Sequence, residues 1–179
     1  SDKVSKIDYS KEHNLGGFIW HTTGSGKTMT SFKSADLISN SGDADKVIFL
    51  MDRIELGTQS LREYRGFAND DQDVQGTENT EVLINKLKSD NVQDTLIVTS
   101  IQKMSRIKED GLQDDDIAKI NKKRMVIIVD ECHRAVSPRT KRELERFFGR
   151  SLWYGFTGTP RFAENPYPQM GDLPRTTED

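Results

Sequence analysis

Two clusters of side chains in this sequence have the types and spacing to work on a phosphorylated ligand. The first is His21-Thr22-Thr23-Gly24-Ser25-Gly26-Lys27-Thr28. Its glycines let the backbone bend and bring bare N–H groups close to a phosphate. Lys27 can reach a terminal phosphate as a point charge, and the Thr28 hydroxyl can ligate a Mg²⁺ that accompanies a nucleotide. Thr23, Gly24, Ser25, Gly26, Lys27 and Thr28 are therefore the candidate nucleotide-binding residues. The second cluster is Asp130-Glu131-Cys132-His133. Asp130 is the second candidate for Mg²⁺, and Glu131 the candidate to orient and deprotonate an attacking water. Lys27, Asp130 and Glu131 form the expected catalytic set.

Each cluster also has a plainer explanation. A glycine-rich turn can simply end a strand, and two acids can cap a helix. Lys27 and Thr28 directly after Gly26, with the acids elsewhere in the same chain, favour phosphoryl chemistry. The first loop position holds His21 where the usual pattern has glycine, which counts against a GTPase-type loop. Cys132 reads as packing, because no histidine arrangement to activate its thiol is evident. His133, close to the acids, is the candidate to relay the nucleotide state.

These residues need elements to position them. Five continuous apolar runs recur: Phe18–Trp20, Val47–Met51, Leu96–Thr99, Met125–Val129 and Leu152–Phe156. Continuity rather than alternation is the mark of parallel strands covered on both faces. Between them, helices are expected over Thr28–Ile38, Arg53–Phe67, Glu81–Leu87, Asp116–Ile120 and Pro138–Phe148. The alternation predicts a doubly wound α/β fold with a mainly parallel sheet. In such a sheet, ligands sit at the carboxyl ends of the strands. The loop after the first run and the acids after the fourth can then face one cleft. Residues 1–15 and 162–179 read as flanking or extended segments, the latter with Pro166, Pro168 and Pro174.

Composition bounds the rest. A chain of 179 residues suits one domain. Its 26 basic and 29 acidic residues give a net charge of −3, which argues against a polybasic binder but leaves room for a local basic track. Cys132 is the only cysteine, so no internal disulfide can form. No apolar run is long enough to cross a bilayer, and the polar start Ser1–Lys6 lacks a signal core. No membrane association and a cytoplasmic location are expected.

The motifs together resemble a superfamily 2 helicase-type motor, and within it the motor (R) subunit of type I restriction enzymes. Gly17 to Thr28 resembles that family's phosphate loop, and Asp130-Glu131-Cys132-His133 matches its acidic box. Gly155-Phe156-Thr157-Gly158-Thr159-Pro160 resembles its third motif. Asp52 to Leu56 and Thr99 to Lys103 resemble its DNA-side motifs. The resemblance implies a first RecA-like P-loop NTPase lobe, ATP with Mg²⁺ as cofactors, and ATP-dependent translocation on double-stranded DNA. It further implies methyltransferase and specificity subunits as partners. On this likeness Thr157 and Thr159 would couple hydrolysis to movement, while Arg53, Thr99, Ser100 and Gln102 would contact the DNA backbone. Arg53 fits a solvated helix-start residue nearly as well. A second lobe, its arginine finger and a nuclease domain are not evident in the sequence, so the chain alone is expected to hydrolyse ATP very slowly. Two alternatives stay open: the lobe of a repair or RNA helicase, and a nucleotide-operated binding module.

Overall fold

A computed structural model of the chain describes residues 17–20, 26–51, 80–107, 111–130, 142, 144 and 148–158, without the side chains of Phe18, Lys27 and Thr28. Five strands form one sheet: β1 (Gly17–Trp20), β2 (Lys46–Met51), β3 (Leu96–Ser100), β4 (Met125–Asp130) and β5 (Ser151–Thr157). Their order is β1-β5-β4-β2-β3, and all four neighbouring pairs are parallel. The helices are α1 (Lys27–Ser41), α2 (Thr80–Lys88), α3 (Ile101–Arg106) and α4 (Asp114–Asn121), with a 3-10 turn at Val92–Asp94.

Three of the continuous apolar runs become strands buried on both faces, whereas in β1 Ile19 and Trp20 are 43% and 61% exposed because β1 ends the sheet. Every residue of β2, β3 and β4 is buried. Alternate side chains serve opposite layers. Val47, Phe49, Met51, Val126, Ile128, Leu152 and Phe156 meet Phe32, Ala35 and Ile38 of α1. Ile48, Leu50, Ile97, Met125, Ile127 and Val129 meet Leu83 and Leu87 of α2, Ile101 and Met104 of α3, and Ile120 of α4. Helices thus cover both faces, as a doubly wound sheet requires. Phe32 meets Phe49 edge-on, with ring centroids 5.9 Å apart and planes at 82°.

All five expected strands are present, and each extends a residue or more beyond its apolar run. The helix expected over Thr28–Ile38 gains its last turn from polar residues. The Ser39, Asn40 and Ser41 side chains donate to the carbonyls of Asp36, Asp36 and Ile38. Gly42, at φ 77°, then ends α1 in the left-handed conformation. The helix expected from Asp116 begins two residues earlier, where the Asp116 carboxylate accepts from the Gln113 N–H at 3.2 Å. Helix α3 was not expected. It follows β3 without a loop, and the Ser100 hydroxyl accepts from the Lys103 N–H at 3.2 Å to cap it. The helix expected over Arg53–Phe67 lies outside the described residues, as do the 1–15 and 162–179 segments. Of the one expected over Pro138–Phe148, Arg142 and Leu144 are helical, and Leu144 and Phe148 are buried in the second layer.

The amino edge of the sheet is tied by charged side chains. Arg124 grips Asp45 through Nε at 3.2 Å and Nη2 at 2.9 Å, and its Nη2 also donates to the Gly42 carbonyl at 3.2 Å. Lys46, only 1% exposed, donates from Nζ to the Asp94 carbonyl at 2.7 Å. Lys123 donates to the Ser89 carbonyl at 3.1 Å and to the Asp90 carboxylate. Burial, and next the positive charge of Lys123, push the Lys46 amine down to about 8.

Candidate nucleotide site

The sheet register fixes where the loop and the acids stand. Trp20, the last residue of β1, lies opposite Thr157 of β5, and Asp130, the last residue of β4, lies opposite Phe156. Strands β1 and β4 flank β5 and end within one residue of each other at the carboxyl edge. Two strand spacings put those ends roughly 10 Å apart. The segment linking β1 to α1 and the segment leaving β4 therefore start from adjacent points on one edge.

Gly26 stands immediately before α1 with φ 79°, and its carbonyl accepts the first helical bond, from the Thr30 N–H at 2.9 Å. The amides of Lys27, Thr28 and Met29 precede that bond and have no acceptor within the helix. Among the described residues, a Cβ built at Gly26 meets nothing within 4 Å. N–H groups without a helical acceptor, an αL glycine and the positive end of a 15-residue helix make a good anion seat.

Asp130 is 2% exposed. By alternation with Val126 and Ile128 it belongs to the layer of the sheet that α1 covers. The acid and the helix that opens at Gly26 thus share a face as well as an edge. Among the described residues no group of three or more His, Cys, Asp or Glu side chains gathers to hold a metal. Mg²⁺ takes one or two protein oxygens and completes its shell with phosphate oxygens and water. Asp130 and the residues at the head of α1 fit a Mg²⁺–nucleotide on these grounds.

The remaining candidates divide. Thr157 is fully buried at the end of β5. It alternates with Trp153, which packs on the second layer, so it shares the edge with Asp130 but not its face. Thr99 and Ser100 are 1% and 2% exposed, at the end of β3. Their register partners are Leu50 and Met51, and the Ser100 hydroxyl is occupied in capping α3. Gln102 is exposed on α3. Thr23, Gly24, Ser25, Arg53, Glu131, His133 and Thr159 lie outside the described residues. The exposed Arg106 of α3 escaped the sequence reading, because six residues are too few to show a helical period.

A parallel sheet wound on both faces, with a glycine-led helix start and a buried acid on one edge, defines the P-loop lobe of a RecA-like NTPase. Residues 2–172 match the SWI2/SNF2 ATPase family, and the chain belongs to that family. Its relatives include type I restriction enzyme endonuclease subunits. One from Staphylococcus saprophyticus is 43% identical over 89% of this chain and 16% of its own length. One from Staphylococcus aureus strain MSSA476 is 42% identical over 97% of this chain and 18% of its own. The chain thus spans less than a fifth of the length of these relatives. The Pyrococcus furiosus Hef helicase domain has the same fold, at TM-score 0.59 and 21% identity, over 89% of this chain and 33% of that one. So does a nuclease-deletion mutant of the Type ISP restriction-modification enzyme LlaGI, solved with a DNA substrate mimic. Its TM-score is 0.55 and its identity 17%, over 95% of this chain and 18% of that one. Among the described residues no helix is long and apolar enough to cross a membrane.

Proposed function

We propose that this chain is the ATP-binding lobe of an ATP-dependent double-stranded DNA translocase within a type I restriction endonuclease subunit. The observation that carries the reading is the common edge and common face of Asp130 and the start of α1. On this reading the amides from Thr23 to Thr28 cradle the phosphates and Lys27 neutralises the terminal one. Thr28 and Asp130 would hold Mg²⁺, which when bound supplies positive charge against the β- and γ-oxygens. Glu131 orients the attacking water and takes its proton. His133, Thr157 and Thr159 couple the nucleotide state to movement, with Thr157 acting from the buried end of β5. Gln102 and Arg53 face the nucleic acid, while Thr99 and Ser100 hold the end of β3 from which α3 springs.

A second lobe, the arginine finger and the nuclease would lie elsewhere in the subunit, with methyltransferase and specificity subunits as its partners in the cytoplasm. An arginine finger is worth roughly three to five orders of magnitude in rate, so the chain alone should turn over very slowly. The test is ATP hydrolysis by the full-length subunit with and without duplex DNA. DNA should stimulate it, and Lys27→Ala should abolish it. Hydrolysis indifferent to DNA would remove the motor reading.

A further inference from the structure

We propose that Arg106 is a second contact to the phosphodiester backbone, set one helical turn beyond Gln102 on the exposed face of α3; this rests on the motor reading above. The chain carries more acid than base, so its overall field does not draw in a polyanion. Attraction must come from particular cations at the working edge. Four described cations are already paired with carboxylates: Lys33 with Asp36, Lys88 with Asp116, Lys123 with Asp90 and Arg124 with Asp45. Arg106 is exposed, and among the described residues no carboxylate pairs with it.

Its placement distinguishes it from the exposed Lys122 and Arg150. Helix α3 leaves the carboxyl end of β3 without a loop, so it begins at the edge that also holds Asp130. Lys122 and Arg150 stand instead at the amino edge, just before β4 and β5. Gln102 and Arg106 are four residues apart and share a helix face, separated by about 6 Å of rise. That matches the scale of the step between neighbouring phosphates along a strand. The helix is also held still. Ile101, Met104 and Ile107 are buried in the second layer, and Ser100 caps its first turn. A guanidinium carried on an anchored helix loses little freedom when it binds a phosphate oxygen.

The test uses the full-length subunit and a fluorescent duplex of fixed sequence, titrated over a series of salt concentrations. Arg106→Ala should weaken binding several-fold at low salt and reduce the slope of log K against log salt by about one. Arg106→Lys should keep the slope, since the charge is kept. Arg150→Ala removes the same charge from the opposite edge and should leave the slope unchanged. A wild-type slope in Arg106→Ala, or an equal loss in Arg150→Ala, overturns the assignment while the motor reading stands. Absence of any salt-dependent binding or DNA-stimulated hydrolysis in the wild-type subunit would instead remove the motor reading itself.

Discussion

Trp20 and Asp130 close their strands on the two flanks of β5, one opposite Thr157 and the other opposite Phe156. Residues 110 positions apart in sequence therefore stand two strands apart at one edge. The phosphate-loop segment begins from the first and the acidic box from the second.

Gly26 and Gly42 give a matched pair of tests. Both sit in the left-handed region, at φ 79° and 77°, and a Cβ at either meets nothing within 4 Å. Alanine at either position should cost roughly 1–2 kcal/mol from backbone strain alone. Only Gly26→Ala should also weaken binding of a fluorescent ATP analogue. Thermal unfolding and a binding titration on both variants separate the two effects; equal nucleotide affinity in the two would remove Gly26 from the site.

Asp130→Asn and Glu131→Gln should fail differently. Asp130→Asn should retain nucleotide binding without Mg²⁺ and lose at least about a hundredfold in Mg²⁺-dependent turnover. Glu131→Gln should still bind ATP with Mg²⁺ yet stall before hydrolysis. Single-turnover assays beside equilibrium binding distinguish them. Loss of ATP binding in Glu131→Gln would take the water-activating role from that residue.

The stability of the fold should rise through mildly alkaline pH. Lys46 has a folded pKa of about 8 against 10.5 for an unperturbed lysine, because it is buried beside Lys123. Between those values the unfolded chain binds more protons than the folded one, so unfolding becomes harder as pH increases. Urea midpoints measured from pH 7 to 10 should show this rise. Lys46→Met should flatten it, and a wild-type slope in that variant would exclude Lys46 as the source.

Tyr154 carries a buried hydroxyl with no hydrogen-bond partner among the described residues, and burial raises its pKa. Tyr154→Phe removes a desolvated polar atom without opening a cavity, so it should stabilise the protein by about 1 kcal/mol. Chemical denaturation at neutral pH measures this. A destabilised variant would mean the hydroxyl has a partner in solution.

The strands were legible because runs such as Met125–Val129 are apolar throughout, which only a doubly covered sheet tolerates. The order β1-β5-β4-β2-β3 was not, since it rests on pairings far apart in sequence. The grip of Arg124 on Asp45 leaves no local trace either. Helix ends were blurred where serine and asparagine side chains turned back onto the helix, as after Ile38. For Asp130 and the start of α1, the motifs pointed to a shared edge of the sheet but not to a shared face. Whether Asp130 shares a layer with α1, and Thr157 does not, depends on strand parity. The burial of Thr99 and Ser100 has the same origin, because β3 is covered on both sides.

The sealing of β2 and β4, with no side chain open to water along either, has a mechanical consequence. Close-packed interiors resist compression and pass strain onward. A shift imposed at the end of β4 is transferred to β2 and β3 with little loss, so this half of the sheet moves as a plank.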